Sequence, residues 1–302
     1  MFPNSQHHAE SFMIMAVTSF AVSGFFAKLS SHIASAANTT LVRFIVPIFI
    51  LLVIALVTRT KIRLPQNQMR LLAIRGLAMT LAQFCFYYAL SGLPLSESTA
   101  LYNTGPLFVT AISWFLGQHI QKKTVYALLL GAVGVVLVCH IQEGVFNQYI
   151  FFGLLSGMCF AVSQMTFHKI AKAKNDLNSL LWLYAFSVMF AILISLFDGS
   201  LGNQSGIDLA EISLLEGVAL LLIGACSLAN QFWRGKAYSL SKSSSDLAPL
   251  VYFSVFISTV LDMLFFKFSP TLGAILGLGL IMTGAMVLYG KKKPAPALTR
   301  GC

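Results

Sequence analysis

Long apolar segments separated by short polar turns run along almost the whole chain. Ten segments can be placed, and most approach the about 20 residues that a helix needs to cross the hydrocarbon core of a bilayer. Their approximate bounds are 11–29, 36–57, 71–90, 97–115, 125–140, 149–170, 179–197, 214–233, 245–266 and 271–289. The pattern predicts an all-α integral membrane protein with ten transmembrane helices.

The stretch 82–106 interrupts this apolar pattern with polar and helix-breaking residues. Gln83 and Asn103 lie inside predicted spans, and Gly105-Pro106 falls near the middle of the fourth one. Because unpaired polar groups are costly in a bilayer, these residues must face protein or a water-filled cavity. Proline also displaces the carbonyl four residues back, here that of Tyr102. The predicted break is either a structural kink or a place where Tyr102 and Asn103 meet a solute.

Short sequence matches relate the two halves of the chain. Phe20-Ala21-Val22-Ser23 recurs as Phe160-Ala161-Val162-Ser163, and Gln83-Phe84 recurs in the same order as Gln231-Phe232. The matches divide the chain into residues 1–144 and 145–293, with a tail at 294–302. Since five spans per half reverse the orientation of the second copy, we expect two inverted five-helix repeats, as in many secondary transporters.

Composition supports a membrane location. The chain is 57% hydrophobic and only 10% charged, with a mean hydropathy of +0.79, whereas soluble domains carry roughly 25% charged residues. Its formal net charge of +10 invites a nucleic-acid partner. The basic residues instead form short tufts between apolar segments, so we expect no nucleic acid and the lipid bilayer as the surrounding medium. The first segment has no small-residue cleavage site and is interpreted as a retained span.

The distribution of positive charge predicts the orientation. With a cytoplasmic N-terminus, the outer loops keep only Lys28 and Lys267. Cytoplasmic loops are enriched in Lys and Arg, so both termini are expected in the cytoplasm, with the chain in the cell inner membrane. The inner loops and tail would hold Arg59, Lys61, Arg63, Arg70, Lys122, Lys123, Lys169, Lys172, Lys174, Arg234, Lys236, Lys242, Lys291, Lys292, Lys293 and Arg300.

The second half repeats the polar and helix-breaking features of the first. Asn230 and Gln231 are adjacent amides, and Pro249 precedes Tyr252 in the ninth span. Adjacent residues point about 100° apart on a helix, so one amide can line a cavity while the other bonds a neighbouring helix. Helix-to-helix bonding remains the alternative for both amides.

Arg43 is the basic residue that lies clearly inside a predicted span, and Asp262 lies at a depth that suits pairing with it. Arg43 falls about a third of the way down the second span from its outer end, and Asp262 lies near the outer end of the ninth. Intramembrane charges need a partner or an aqueous cavity. We expect the two to form an ion pair, with either a structural role or a role in an outer gate.

The sequence lacks the residues that several classes of function require. The six histidines are scattered at helix ends and tails and form no cluster of metal ligands, and the sequence contains no phosphate-binding loop, nucleophile elbow or mid-membrane acidic pair. We therefore expect no metal, no cofactor and no enzymatic activity. The glycines of the last span in each half suit close helix packing or a homodimer contact: Gly131, Gly134, Gly273, Gly277 and Gly284.

Taken in order, these motifs make the chain resemble the EamA-type families of the drug/metabolite transporter superfamily over nearly its whole length. The resemblance implies two inverted five-helix repeats around a central cavity, and transport of small metabolites, often amino acids or their derivatives. It rests on Arg43-Phe44, Leu93-Pro94, Pro106-Leu107-Phe108, Ser113-Trp114, Gly131 to Gly134, Ala248-Pro249-Leu250-Val251-Tyr252 and Gly277 to Gly284.

We therefore predict a secondary transporter that works by alternating access around a site at the midplane. Amides, hydroxyls and aromatic rings suit a neutral or zwitterionic solute. A cationic metabolite such as S-adenosylmethionine, carried by an uptake carrier or exchanger, is an alternative, as is a non-transporting scaffold or sensor. Direction and proton coupling stay open. The predicted solute contacts are Ser23, Gln83, Tyr87, Tyr102, Asn103, Ser163, Gln164, Asn230, Gln231 and Tyr252.

Overall fold

The structure is a computed structural model that describes most of the apolar part of the chain. The described residues are 4–62, 66–115, 126, 129–131, 133–134, 137, 148–171, 177–200, 213–240, 247, 250–269 and 271–289. Most of the predicted fifth span, Pro249 and the tail at 294–302 lie outside them, so the ten-helix count stays a prediction.

The described residues fold into helices that follow the apolar segments. We number the helices α1 to α10 in chain order. They are α1 (Asn4–Leu29), α2 (Ala36–Val57), α3 (Met69–Gly92), α4 (Leu95–Tyr102), α5 (Gly105–Phe115), α6 (Gln148–Ala171), α7 (Leu177–Ser200), α8 (Leu214–Leu240), α9 (Phe253–Phe265) and α10 (Leu272–Tyr289).

Six of these helices are long and apolar enough to cross a membrane: α1, α2, α3, α6, α7 and α8. Their outward surface is apolar as well. Large side chains such as Leu56 and Leu214 are 77% and 88% exposed. So much exposed apolar surface is costly in water and suits contact with lipid acyl chains.

The predicted fourth span is divided into two helices. Helix α4 ends at Tyr102, and α5 begins at Gly105. The Asn103 N–H still donates to the Thr99 carbonyl at 3.0 Å, but the Thr104 N–H donates to Leu101, three residues back, at 3.1 Å. This tighter turn directly precedes Gly105-Pro106, where proline supplies no backbone donor to continue the α4 ladder.

The turns between α1 and α2 and between α3 and α4 meet at one end of the bundle, which we call the Lys28 end. Lys28 Nζ donates to the carbonyls of Leu90 and Leu93 at 2.7 and 2.9 Å. These carbonyls lie in the last turn of α3 and at the residue that follows it, where backbone acceptors lack intrahelical donors and a cation is favoured. Lys28 thereby ties the end of α1 to the end of α3. The opposite end holds Arg59 and Leu240.

Two helix pairs form the centre of the bundle. Helix α1 packs along α8, and α3 packs along α6; α2 lies against both α7 and α8, while α3 also contacts α7. The short helix α4 lies between α9 and α6. Every one of these pairs joins a helix from the first half of the chain to one from the second, so the interior is built jointly by both halves.

Candidate functional site

A continuous polar and aromatic stripe on α3 forms the frame of the candidate site. Arg75, Met79, Gln83 and Tyr87 follow one another at intervals of four residues, and all are at least 96% buried. Residues four apart lie on one face of a helix. The stripe extends over twelve residues, or about 18 Å at 1.5 Å per residue. It therefore follows a line through the bundle interior.

An aromatic stack lies beside the middle of this stripe. Tyr102 is placed between Phe20 and Phe160, with ring centroids 4.9 and 4.3 Å apart and interplanar angles of 24° and 31°. Gln83 Nε2 donates to the Tyr102 hydroxyl at 3.0 Å. The two phenylalanines come from the repeated tetrapeptides of the two halves, so the repeat places equivalent rings on both sides of a single tyrosine.

Arg43 lies on the side of the stack nearer the Lys28 end. Its guanidinium donates to Ser23 Oγ at 3.1 Å and to the Tyr87 hydroxyl at 2.7 Å. The same group lies 5.9 Å from the centroid of the Phe20 ring. Ser23 Oγ in turn donates to the Ile223 carbonyl of α8 at 3.1 Å. Arg43 thus links α1, α2, α3 and α8.

Two further buried arginines lie on the other side of the stack. Arg75 donates to Gln231 Oε1 at 3.3 Å, and its guanidinium lies 3.9 Å from the centroid of the Phe167 ring. Arg234 lies 5.5 Å from the Phe160 ring centroid. These side chains are only 4% and 5% exposed. Among the described residues, the ion pairs involve only histidines. No carboxylate there lies within 4.0 Å of either guanidinium group.

The structure does not bring Arg43 and Asp262 together as an ion pair. Asp262 accepts hydrogen bonds from the backbone N–H groups of Leu95 and Ser96 at 3.2 and 2.7 Å. The first N–H groups of a helix have no intrahelical partner, and the helix dipole favours an anion there. Asp262 of α9 therefore caps α4, while Arg43 is held by neutral hydroxyls.

The Asp262 cap is the first rung of a polar ladder between α4 and α9. Thr99 Oγ1 and Ser258 Oγ are 3.1 Å apart, and Asn103 Nδ2 donates to Ser254 Oγ at 2.8 Å. The rungs advance by four residues on α4 and retreat by four on α9, as required for antiparallel helices. Asn103 is therefore bonded to the second half of the protein.

The remaining predicted site residues separate into two groups. Ser163 is buried on the α6 face that carries Phe160 and Phe167, and Gln231 lies beside Arg75, so both belong to the arginine side of the stack. Asn230 instead donates to the Ala16 carbonyl of α1 at 2.6 Å, which is the helix-bonding alternative.

Two other predicted solute contacts, Gln164 and Tyr252, lie against side chains of the protein. Gln164 lies near the hydroxyl of Tyr238 on α8. Tyr252 packs in an apolar group with Leu101 and Ile150. The structure does not bring Tyr252 into the stack around Tyr102.

A cavity opens toward the site from the Lys28 end. Its volume is about 180 Å³, and its lining includes Ser35, Thr39, Tyr87 and Asp198. Tyr87 belongs both to this lining and to the hydrogen bonds of Arg43, so the cavity reaches the Arg43 side of the stack. Ligand pockets usually enclose about 300–1,000 Å³. A metabolite would therefore need the helices to move apart to pass the aromatic stack.

Sequence reasoning missed the two arginines nearest the α6 face. Arg234 was assigned to a cytoplasmic loop because it lies close to the end of the eighth apolar segment, and Arg75 lies in the first turns of the third. The available signal was that Arg75, Met79 and Gln83 follow one another at intervals of four residues. That spacing places the arginine on the face of the predicted cavity amide.

The chain is similar to proteins that are known as transporters. Residues 8–139 match the EamA-like transporter family. Over 93% of its length the chain is 24% identical to the pseudopaline exporter CntI of Pseudomonas aeruginosa, 95% of which is covered. Over 73% it is 22% identical to the S-adenosylmethionine uptake transporter of Rickettsia felis, 72% of which is covered. Residues 8–139 thus resemble an EamA-like transporter, and the relatives that are similar over most of the chain are named transporters, as the motifs indicated.

A solved structure supports the fold. It superposes with a TM-score of 0.61 at 18% sequence identity, covering 93% of this chain and 96% of that one. At this identity the likeness concerns the fold alone.

Proposed function

We propose that this transporter moves small amino-acid-like solutes by alternating access around the site between its two halves. The observation that carries the proposal is the joint construction of the site. Ser23, Gln83 and Tyr87 of the first half lie beside the stack in which Tyr102 packs against Phe160 of the second half. Rocking one half against the other would open this stack alternately to the two ends.

The packing of the helices supports an inverted repeat of two five-helix units, residues 1–144 and 145–293. If α1 and α3 correspond to α6 and α8, exchanging the halves converts the α1–α8 pair into the α6–α3 pair. These are the two most extensive packing pairs. The same exchange converts α2–α8 into α7–α3, which are also both observed. Such two-fold exchange is typical of transporters with inverted repeats.

We further propose that the Lys28 end is external and that both termini are cytoplasmic, in the inner membrane. The positive charge of the sequence supports this orientation. A cysteine in place of Thr39, which lines the cavity, should react with a membrane-impermeant maleimide from outside intact cells. A label that reaches this cysteine only after lysis would reverse the orientation.

The test of transport uses the full chain in proteoliposomes. Vesicles loaded with unlabelled acidic, aromatic, neutral or basic amino acids, or with S-adenosylmethionine, are assayed for uptake of the same labelled compound. Vesicles that contain the wild-type protein should accumulate at least one labelled compound to a higher level than vesicles without protein. Gln83→Ala and Asn103→Ala should reduce that rate at least tenfold, whereas Gln66→Ala, at an exposed amide before α3, should not. Equal transport rates in all variants would contradict the assignment of the solute site to Gln83 and Asn103.

Uptake of S-adenosylmethionine is a second candidate function. The relative of that name in Rickettsia felis favours it, but the buried arginines of this chain oppose a cationic solute. The proteoliposome panel separates the two, since only this candidate requires preferential accumulation of S-adenosylmethionine.

A further inference from the structure

Arg75 and Arg234 present two buried positive charges to one region of the interior. Arg75 contacts Phe167 and Arg234 contacts Phe160, two rings on one face of α6 that are separated by seven residues, or two helical turns. Arg234 follows Gln231, the hydrogen-bond partner of Arg75, by three residues on α8. These contacts place both guanidinium groups between α6 and α8. They therefore belong to one site.

The described part of the chain supplies these two groups with few of the contacts that they can make. An arginine has five N–H donors. The Nε atoms of both Arg75 and Arg234 are buried without a hydrogen-bond partner. Within the described part of the chain, their contacts are one neutral amide and the faces of aromatic rings. The described residues place no carboxylate beside these two buried like charges, and burying a charge without an anion is costly, so an anionic solute would stabilise the pair.

We propose that Arg75 and Arg234 bind the solute, and that the solute is a small dicarboxylate, with one carboxylate on each guanidinium. This inference rests on the proposed transport function and specifies its substrate class. Two carboxylates would match the charge of the two guanidinium groups, and the planar guanidinium fork matches carboxylate geometry. Phe160 and Phe167 flank the two charges and give the solute's carbon skeleton an apolar surface, while Gln231 and Ser163 supply neutral polar contacts.

The test measures binding to the purified full-length protein by thermal shift, at constant ionic strength. The probes are matched pairs: L-glutamate against L-glutamine, and pyridine-2,6-dicarboxylate against its diamide. S-adenosylmethionine serves as the cationic probe. We expect at least one dicarboxylate to raise the melting temperature with an apparent affinity at least tenfold above that of its amide. S-adenosylmethionine should give no shift.

Three variants locate the effect. Arg75→Gln and Arg234→Gln should each weaken dicarboxylate binding at least tenfold. Arg70→Gln changes an exposed arginine on the same helix and should leave binding unchanged. Arg234→Lys keeps the charge without the fork and should retain part of the affinity. A lowered melting temperature in a glutamine variant does not obscure the result, because the shift is measured against the same variant without probe.

Two outcomes overturn the proposal: no response of the wild type to any dicarboxylate, or equal responses to acids and amides. A response that persists in both glutamine variants would do the same. The transport proposal fails separately, when no compound accumulates in proteoliposomes. Accumulation of neutral or cationic compounds at unchanged rates in both variants would sustain transport and reject the arginine pair.

Discussion

The carboxylate of Asp262 lies 3.2 Å from the backbone nitrogen of Leu95, across the boundary between the two halves of the chain. A side chain from α9 therefore satisfies the N-terminus of α4, a helix too short to span the membrane. The contact is placed beside the Lys28 bonds that close the end of α3. Asp262 and Lys28 therefore both stabilise the turn that connects α3 to α4, the first part of the broken fourth span.

The Asp262 cap gives a first prediction. Asp262→Ala should lower the free energy of unfolding by about 1–3 kcal/mol, because it leaves two buried N–H donors of α4 without an acceptor. Asp262→Asn keeps one acceptor oxygen and should cost less. The measurement is thermal or denaturant unfolding in detergent. Glu10→Gln, at a more exposed acid on α1, is the control and should change little. An equal cost for both positions would argue against the cap.

The polar ladder predicts energetic coupling between the halves. Asn103 and Ser254 share a hydrogen bond of 2.8 Å in a buried interface. In a double-mutant cycle, Asn103→Ala and Ser254→Ala should show a coupling of about 0.5–1.5 kcal/mol in stability. Pairing Asn103→Ala with the distant Ser187→Ala provides the comparison and should give additive effects. Additivity in both cycles would mean that the rung contributes nothing.

The helix break depends on close contact with α6. A Cβ atom at Gly157 would lie 2.7 Å from the Leu101 carbonyl oxygen and 2.5 Å from Thr104 Oγ1. Since backbone cannot yield as a flexible side chain does, Gly157→Ala should destabilise the protein by about 1–3 kcal/mol. Gly279→Ala is the matched control on α10, where nothing lies within 4 Å. Comparing melting temperatures of the two variants tests the contact, and a neutral Gly157→Ala would disprove it.

Arg43 depends on Tyr87 for its shortest hydrogen bond. Tyr87→Phe keeps the ring and removes the oxygen that accepts from Arg43 at 2.7 Å. A charged donor left with one fewer partner in the interior should cost about 1–3 kcal/mol of stability. Tyr126→Phe changes a side chain that is 65% exposed and should be nearly neutral. If the two variants unfold alike in denaturant, Arg43 does not need this acceptor.

Sequence by itself determined the membrane class of this protein and much of the content of its site. Apolar segments of spanning length can be satisfied only by helices in lipid, so the bounds of α2, 36–57, could be placed directly. Gly105-Pro106 located the break in the fourth span to within a few residues, since proline lacks the backbone N–H that would continue the helix at its own position. The repeated tetrapeptides also identified Phe20 and Phe160, which lie on either side of Tyr102.

Only the tertiary structure decided which polar residues meet. The depth of Asp262 suggested Arg43 as its partner, but depth does not specify rotation about a helix axis or the helix that lies opposite. Packing of α9 against α4 gives Asp262 two backbone donors instead. Likewise, the end of an apolar segment suggests a loop, yet α6 covers Arg234 and Arg75. Local pattern specifies helices because their hydrogen bonds are local, whereas the pairing of buried charges depends on contacts between helices far apart in sequence.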